Sequence, residues 1–100
     1  MTNPTQTIQE QLGSHISVTL DHPIKNGMGE TVSVIKMRRA RVGDMRAVGS
    51  LKNEVEQELG LFARLTGLVP EDLDLLDWQD YQKLQRSFRQ LSEQKDQDGE

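Results

Sequence analysis

The sequence predicts an α+β domain, with an N-terminal two-stranded antiparallel β-hairpin followed by a small bundle of three to four helices. Three observations carry that reading. Ile16, Val18 and Leu20 alternate with Ser17 and Thr19, the two-residue period of a half-buried strand. Thr31 to Arg38, TVSVIKMR, is rich in β-branched residues. From Leu51 onward the apolar residues recur three and four apart, in runs broken at Gly67 and Pro70.

The hairpin comes first, with strands at 16–20 and 31–38. Parity slips in the second strand, where Val32 and Val34 share one face while Ile35 and Met37 share the other. Either a bulge re-aims the strand there or both faces are partly covered. The connector DHPIKNGMGE holds Pro23, Asn26-Gly27 and Gly29, residues suited to turns, and reads as a long mobile tip. Two strands alone are marginal in water, so a helix or another copy must pack on them.

Four helices follow. Asp44 caps a short one at 44–49, which Gly49 ends. Ser50 stands at the N-cap of a helix at 51–66, whose Leu51, Val55, Leu59, Phe62 and Leu65 fall on one face. Gly67 suits the left-handed position after a helix end, and Leu68 then folds back on Phe62 or Ala63. Pro70 opens a helix at 71–75, with Glu71 and Asp72 at its positive end. Asp77 caps the last helix at 78–91, flanked by Leu76 and Tyr81 at the spacing of a hydrophobic staple. Tyr81, Leu84, Phe88 and Leu91, with Trp78 beside them, form the seam of an antiparallel helix pair or short coiled coil.

Composition limits the function. A 100-residue chain is one domain, here 16–91, between a polar mobile segment at 1–15 and a polar disordered tail at 92–100. Within the first segment Ile8 and Leu12 hint at a transient helical turn. Apolar residues make up 34% of the chain, with four aromatics, which is lean for a self-sufficient core and points to self-association or a partner. A net charge of −4 and a pI near 5.1 argue against general nucleic-acid affinity. The chain has no cysteine, no apolar run long enough for a bilayer and no signal-peptide pattern, so it reads as soluble and cytoplasmic.

No catalytic residue, cofactor site or metal site is expected. His15 and His22, near Asp21, lack metal-ligand spacing and read as solvated loop histidines. Glu71, Asp72, Asp74, Asp77 and Asp80 form an acidic block, explained by helix capping and a solvated face. The basic cluster Lys36, Arg38, Arg39, Arg41 and Arg46 has no interleaved aromatic for base stacking and is expected to dock on that block, within the chain or between copies.

The strand ending Leu20-Asp21-His22-Pro23-Ile24, the second closing in Lys36-Met37-Arg38-Arg39, then Asp44, resemble the phage tail assembly chaperone family of P2-like and Mu-like contractile-tailed phages. So do Ala63 to Leu68, Pro70 to Asp74, Leu76-Asp77 and Asp80-Tyr81; ARLTGLVPEDLDLLDWQDY is the specific part. The resemblance covers about Ser17 to Leu91. Ala40 stands where the family often has proline, and Val69 replaces a serine N-cap worth ~1 kcal/mol.

The resemblance implies a chaperone, not an enzyme, that binds and shields the long helical tape measure protein in the host bacterial cytoplasm and is absent from the mature virion. It also implies, in many relatives, a frameshifted C-terminal extension that recruits the tail tube protein. A groove lined by Phe62, Trp78, Tyr81, Leu84 and Phe88, with Phe88 and Leu91 towards the uncovered end of the last helix, suits an amphipathic helix. Of these, Phe62 and Trp78, with Leu65, are expected to hold the helices together. The alternatives are a structural tail or baseplate subunit, and a small DNA-binding regulator using the Arg38–Arg46 cluster.

Overall fold

The computed structural model describes residues 15–93, and the expectations for 1–14 and 94–100 lie outside them. Two strands, β1 (His15–Lys25) and β2 (Thr31–Arg38), pair antiparallel. Four helices follow: α1 (Val42–Val48), α2 (Glu54–Thr66), α3 (Pro70–Leu73) and α4 (Trp78–Glu93). The α+β class and the order of elements are those expected.

β1 is longer than its alternation suggests. Ile16 to Thr19 pair with Met37 to Val34, and Ile24 and Lys25 pair with Val32 and Thr31. The irregularity therefore lies in β1, where Leu20 to Pro23 bow out, and not in β2. Ile35 and Met37 face inward with Val18, Leu20 and Ile24, while Val34 is half exposed on the outer face. The parity slip in β2 thus marks a one-sided strand with an exposed valine.

The hairpin tip shrinks to residues 26–30 and is tied down. Asn26 Oδ1 accepts from the Met28 and Glu30 N–H groups at 2.9 and 3.0 Å, and the Asn26 N–H donates to Glu30 O at 2.9 Å. Gly29 supplies the positive φ, 82°, that closes the turn.

Helix starts differ from the expectation in two places. α1 begins at Val42, and Asp44 serves as its third residue, accepting the Arg41 N–H at 2.8 Å. α2 begins at Glu54 because Asn53, not Ser50, caps it, accepting the Glu56 N–H at 2.9 Å. Leu51 consequently lies outside the helix. Gly67 adopts φ 79°, Pro70 takes the first position of α3, and Asp77 accepts the Gln79 N–H at the start of α4, all as read, while α3 stops at Leu73 and not at 75. α4 runs on to Glu93, so Ser92 and Glu93 belong to the helix and not to the tail.

The core is the inner face of the hairpin covered by α2 and α4. Val18, Leu20, Ile24, Ile35 and Met37 meet Leu61, Phe62, Leu65, Tyr81, Leu84 and Leu91, with Val48 and Leu73 closing the sides. α4 packs chiefly on β1, and its link to α2 runs through rings: Phe62 lies 5.7 Å from Tyr81 and 5.5 Å from Phe88. The expected antiparallel helix pair is therefore a sheet-on-helix packing in which aromatic side chains span the gap between α2 and α4.

Candidate functional site

Two buried carboxylates hold this arrangement, and both come from residues read as capping or solvated acids. Asp80 is fully buried. Its oxygens accept the Asp21 and His22 N–H groups of the β1 bow at 3.0 and 2.9 Å, and Lys83 Nζ lies 3.4 Å away. Lys83 also reaches Thr19 O at 2.9 Å and the Asp21 carboxylate at 3.1 Å. Burial alone would raise the Asp80 pKa, but the two N–H groups and Lys83 outweigh it and hold it below the usual carboxylate range.

The second is Asp44. Arg38 grips it with two parallel bonds of 2.8 and 2.9 Å, Arg64 Nε adds a third at 3.0 Å, and the Arg41 N–H completes the set. The Arg38 guanidinium is the main cause that holds the Asp44 pKa far below its ordinary value. One carboxylate thus joins the end of β2, the start of α1 and the last turn of α2. Arg38, one member of the basic cluster, pairs with Asp44, which lies outside the acidic block. Asp21, considered beside the histidines, is paired with Lys83. Among the described residues no group of three or more His, Cys, Asp or Glu is placed to hold a metal.

The six apolar residues of the expected partner groove divide sharply. Phe62, Tyr81, Leu84 and Leu91 are buried in the core, and Phe88 is partly buried against Phe62. Trp78 is 62% exposed. The assumed roles of Trp78 and Leu91 are therefore exchanged. Helix geometry gives the reason: at 3.6 residues per turn Trp78 lies ~120° around α4 from Leu84, whereas Asp80 and Leu91 fall within ~40° of it. Leu91 lies beside Arg39 and Ala40, which follow β2, so the far end of α4 is covered.

Two grooves stay open among the described residues: one of about 360 Å³ lined by Met45, Val48, Phe62 and Phe88 with Glu54 and Glu58, and one of about 320 Å³ between α2, α3 and the start of α4, where Trp78 lies. Val55, Leu59, Leu73, Leu76, Trp78 and Tyr81 supply the apolar lining of the second. Val55 lies on the same stripe of α2 as Phe62, seven residues on, yet it is 66% exposed because the stripe outruns the core. Trp78 stacks on Tyr81 at 5.9 Å, extending the core aromatics to the surface. Inside the groove the Tyr81 hydroxyl donates to Glu58 at 2.7 Å and Gln85 donates to the same oxygen at 3.1 Å. Burial and the Glu58 charge both push the Tyr81 hydroxyl pKa upward, so it stays a neutral donor. Asp74 lies at the rim. The groove presents apolar and acidic surface.

A sequence model of the phage tail assembly chaperone proteins, described as E, or 41 or 14, matches residues 17–93. The chain belongs to the phage tail assembly chaperone family. The match spans Asp44, Asp80, nearly all of the hairpin and the groove. No curated protein and no solved structure matches the chain. None of the described helices of this tail assembly chaperone is long and apolar enough to cross a membrane.

Proposed function

We propose that this tail assembly chaperone binds the tape measure protein and shields its apolar helical surface during tail assembly. The observation that carries the reading is the groove at Trp78 in a chain of this family: an apolar channel that the domain's own elements leave uncovered. Apolar surface left exposed along a groove is a contact that a partner helix can use. The groove receives an amphipathic helix through residues spaced three and four apart, with Trp78 as the anchor. Binding is reversible, so tube subunits displace the chaperone as they assemble.

On this reading the chaperone works in the cytoplasm of the infected bacterium and is missing from finished particles. A longer frameshifted form links it to the tail tube protein. No catalytic step enters the account.

Co-expression with the tape measure protein of the same phage genome tests it. The chaperone is expected to keep the tape measure protein soluble and to co-purify with it. Trp78→Ser is expected to abolish both effects while the variant remains folded. A tape measure protein that is equally insoluble with and without the chaperone would overturn the reading. Recovery of the chaperone from purified particles would favour a structural tail or baseplate subunit instead.

A further inference from the structure

The two grooves meet at Glu58, which lines both. On α4, Gln85 lines the second groove and Phe88, three residues on, lines the first, so the pair form one path along the gap between α2 and α4. Rings span that gap, with Phe62 5.7 Å from Tyr81 and 5.5 Å from Phe88. Each groove holds an apolar residue open to a partner, the exposed Trp78 in one and the half-exposed Met45 in the other. The charge along the path has one sign. Glu54 lines the first groove, Asp74 the second and Glu58 both, and among the described residues no lysine or arginine lines either.

Glu58 stands midway along the path as a partly buried carboxylate with unused bonding capacity. The bonds it receives from the Tyr81 hydroxyl and the Gln85 amide both end on Oε1 and hold the carboxylate across the gap. Its Oε2 has no hydrogen-bond or ion-pair partner among the described residues. Covering such a charge with apolar surface costs free energy, and a cation brought against it offsets that cost. The path therefore discriminates between helices. One that is apolar along its whole contact face buries Glu58 unpaired, whereas one with a cation at that point satisfies it.

We infer that the path takes an amphipathic helix carrying a Lys or Arg between two apolar anchors, and that Glu58 is the residue that selects it. The anchors enter the two grooves, one against Trp78 and one against Met45 and Phe88, and the cation meets Glu58 Oε2. Trp78 and Phe88 are ten positions apart on α4, ~15 Å along the helix axis. A helix lying along α4 thus has its anchors about ten or eleven positions apart, with the cation one to two turns from each. The inference rests on the reading of the groove as a helix-binding site and names the segments of the tape measure protein that it takes. Its test contains no tape measure protein, so either can fail without the other.

The test uses three labelled, tryptophan-free amphipathic peptides of about five helical turns, identical except at the central position of the apolar face, which is Lys, Gln or Glu. Fluorescence anisotropy measures the binding of each to the whole chain. The Lys peptide is expected to bind at least about tenfold tighter than the Gln peptide, the Glu peptide more weakly still, and added salt to shrink the Lys advantage. Glu58→Gln keeps an oxygen for Tyr81 and Gln85, so it is expected to retain the fold by circular dichroism and to lose the preference for Lys over Gln. Met45→Ser and Trp78→Ser, one in each groove, are each expected to weaken the Lys peptide while leaving that preference in place. Wild-type protein that binds all three peptides alike, or none of them, overturns the inference. So does a Glu58→Gln variant that keeps the Lys preference, or a Met45→Ser variant that binds the Lys peptide like wild type.

Discussion

Replacing Asp80 by asparagine tests the structural account where the reasoning is most explicit. The carboxylate receives two β1 N–H groups and lies beside Lys83. The amide introduced by Asp80→Asn offers one oxygen, so one N–H keeps an acceptor and the other meets an NH₂ group. Hydrogen bonds to a charged group contribute ~1.5–3 kcal/mol each, and a buried donor left without a partner costs ~1–3 kcal/mol. Against this stands the relief of no longer burying a charge, while Lys83 retains Asp21 and Thr19 O. The net expected loss is roughly 2–4 kcal/mol, a large share of the ~5–15 kcal/mol total of a small domain. That corresponds to a melting temperature lower by roughly 10–25 °C. Urea unfolding followed by circular dichroism measures it, with the midpoint expected to fall and the slope to hold. A variant within ~0.5 kcal/mol of wild type would refute the claim that Asp80 fastens α4 to the hairpin, since that is the size of an ordinary surface substitution.

Stability should also depend on pH with a definite sign. Asp44 and Asp80 are both held below the ordinary carboxylate range, so their contribution is fully present above pH ~4 and is lost as pH falls toward their folded values; a urea-midpoint series from neutral to acid pH should be flat and then decline. Asp44→Ala removes the shared partner of Arg38 and Arg64, which both reach solvent, and is expected to cost ~1–3 kcal/mol, read in the same unfolding assay. Leu84→Ala, at a fully buried position, should cost ~2–5 kcal/mol, whereas Trp78→Ser should change stability by less than ~1 kcal/mol; thermal melts of the two variants separate core from surface. Gly67→Ala forces a side chain into the left-handed region at φ 79° and should cost ~1–2 kcal/mol by denaturant titration.

Much of the fold is legible in local signals. Gly67, Pro70 and Asp77 announce the breaks between α2, α3 and α4 because their roles are set within one turn of the chain. Alternation at Ile16, Val18 and Leu20 finds the inner face of β1 but not its continuation past the bow. That continuation depends on Asp80, 59 residues from Asp21, supplying acceptors for N–H groups that β2 leaves unpaired. A signal for Asp80 was nonetheless present, since an acid four residues before Leu84 lies on the buried stripe of α4 and must have a partner there. Asn53 and Ser50 are both acceptable N-caps, and local sequence does not choose between them; the structure places Leu51 outside the helix beside Gly60. The candidate surface was harder to read than the fold. An apolar residue at helical spacing looks the same whether the neighbouring element covers it, as at Leu91, or stops short of it, as at Val55 and Trp78.

Trp78 is the chain's single tryptophan, so its fluorescence gives the most direct measurement of partner binding at the groove. The chaperone is titrated, at a concentration low enough to keep it monomeric, with tryptophan-free segments of the tape measure protein from the same genome. The account predicts a saturable blue shift as the exposed indole is covered, with a matching loss of binding in Trp78→Ser measured by anisotropy of a labelled segment. Tape measure segments that bind without altering the emission would place the partner surface elsewhere. The absence of binding by every segment would contradict the central claim.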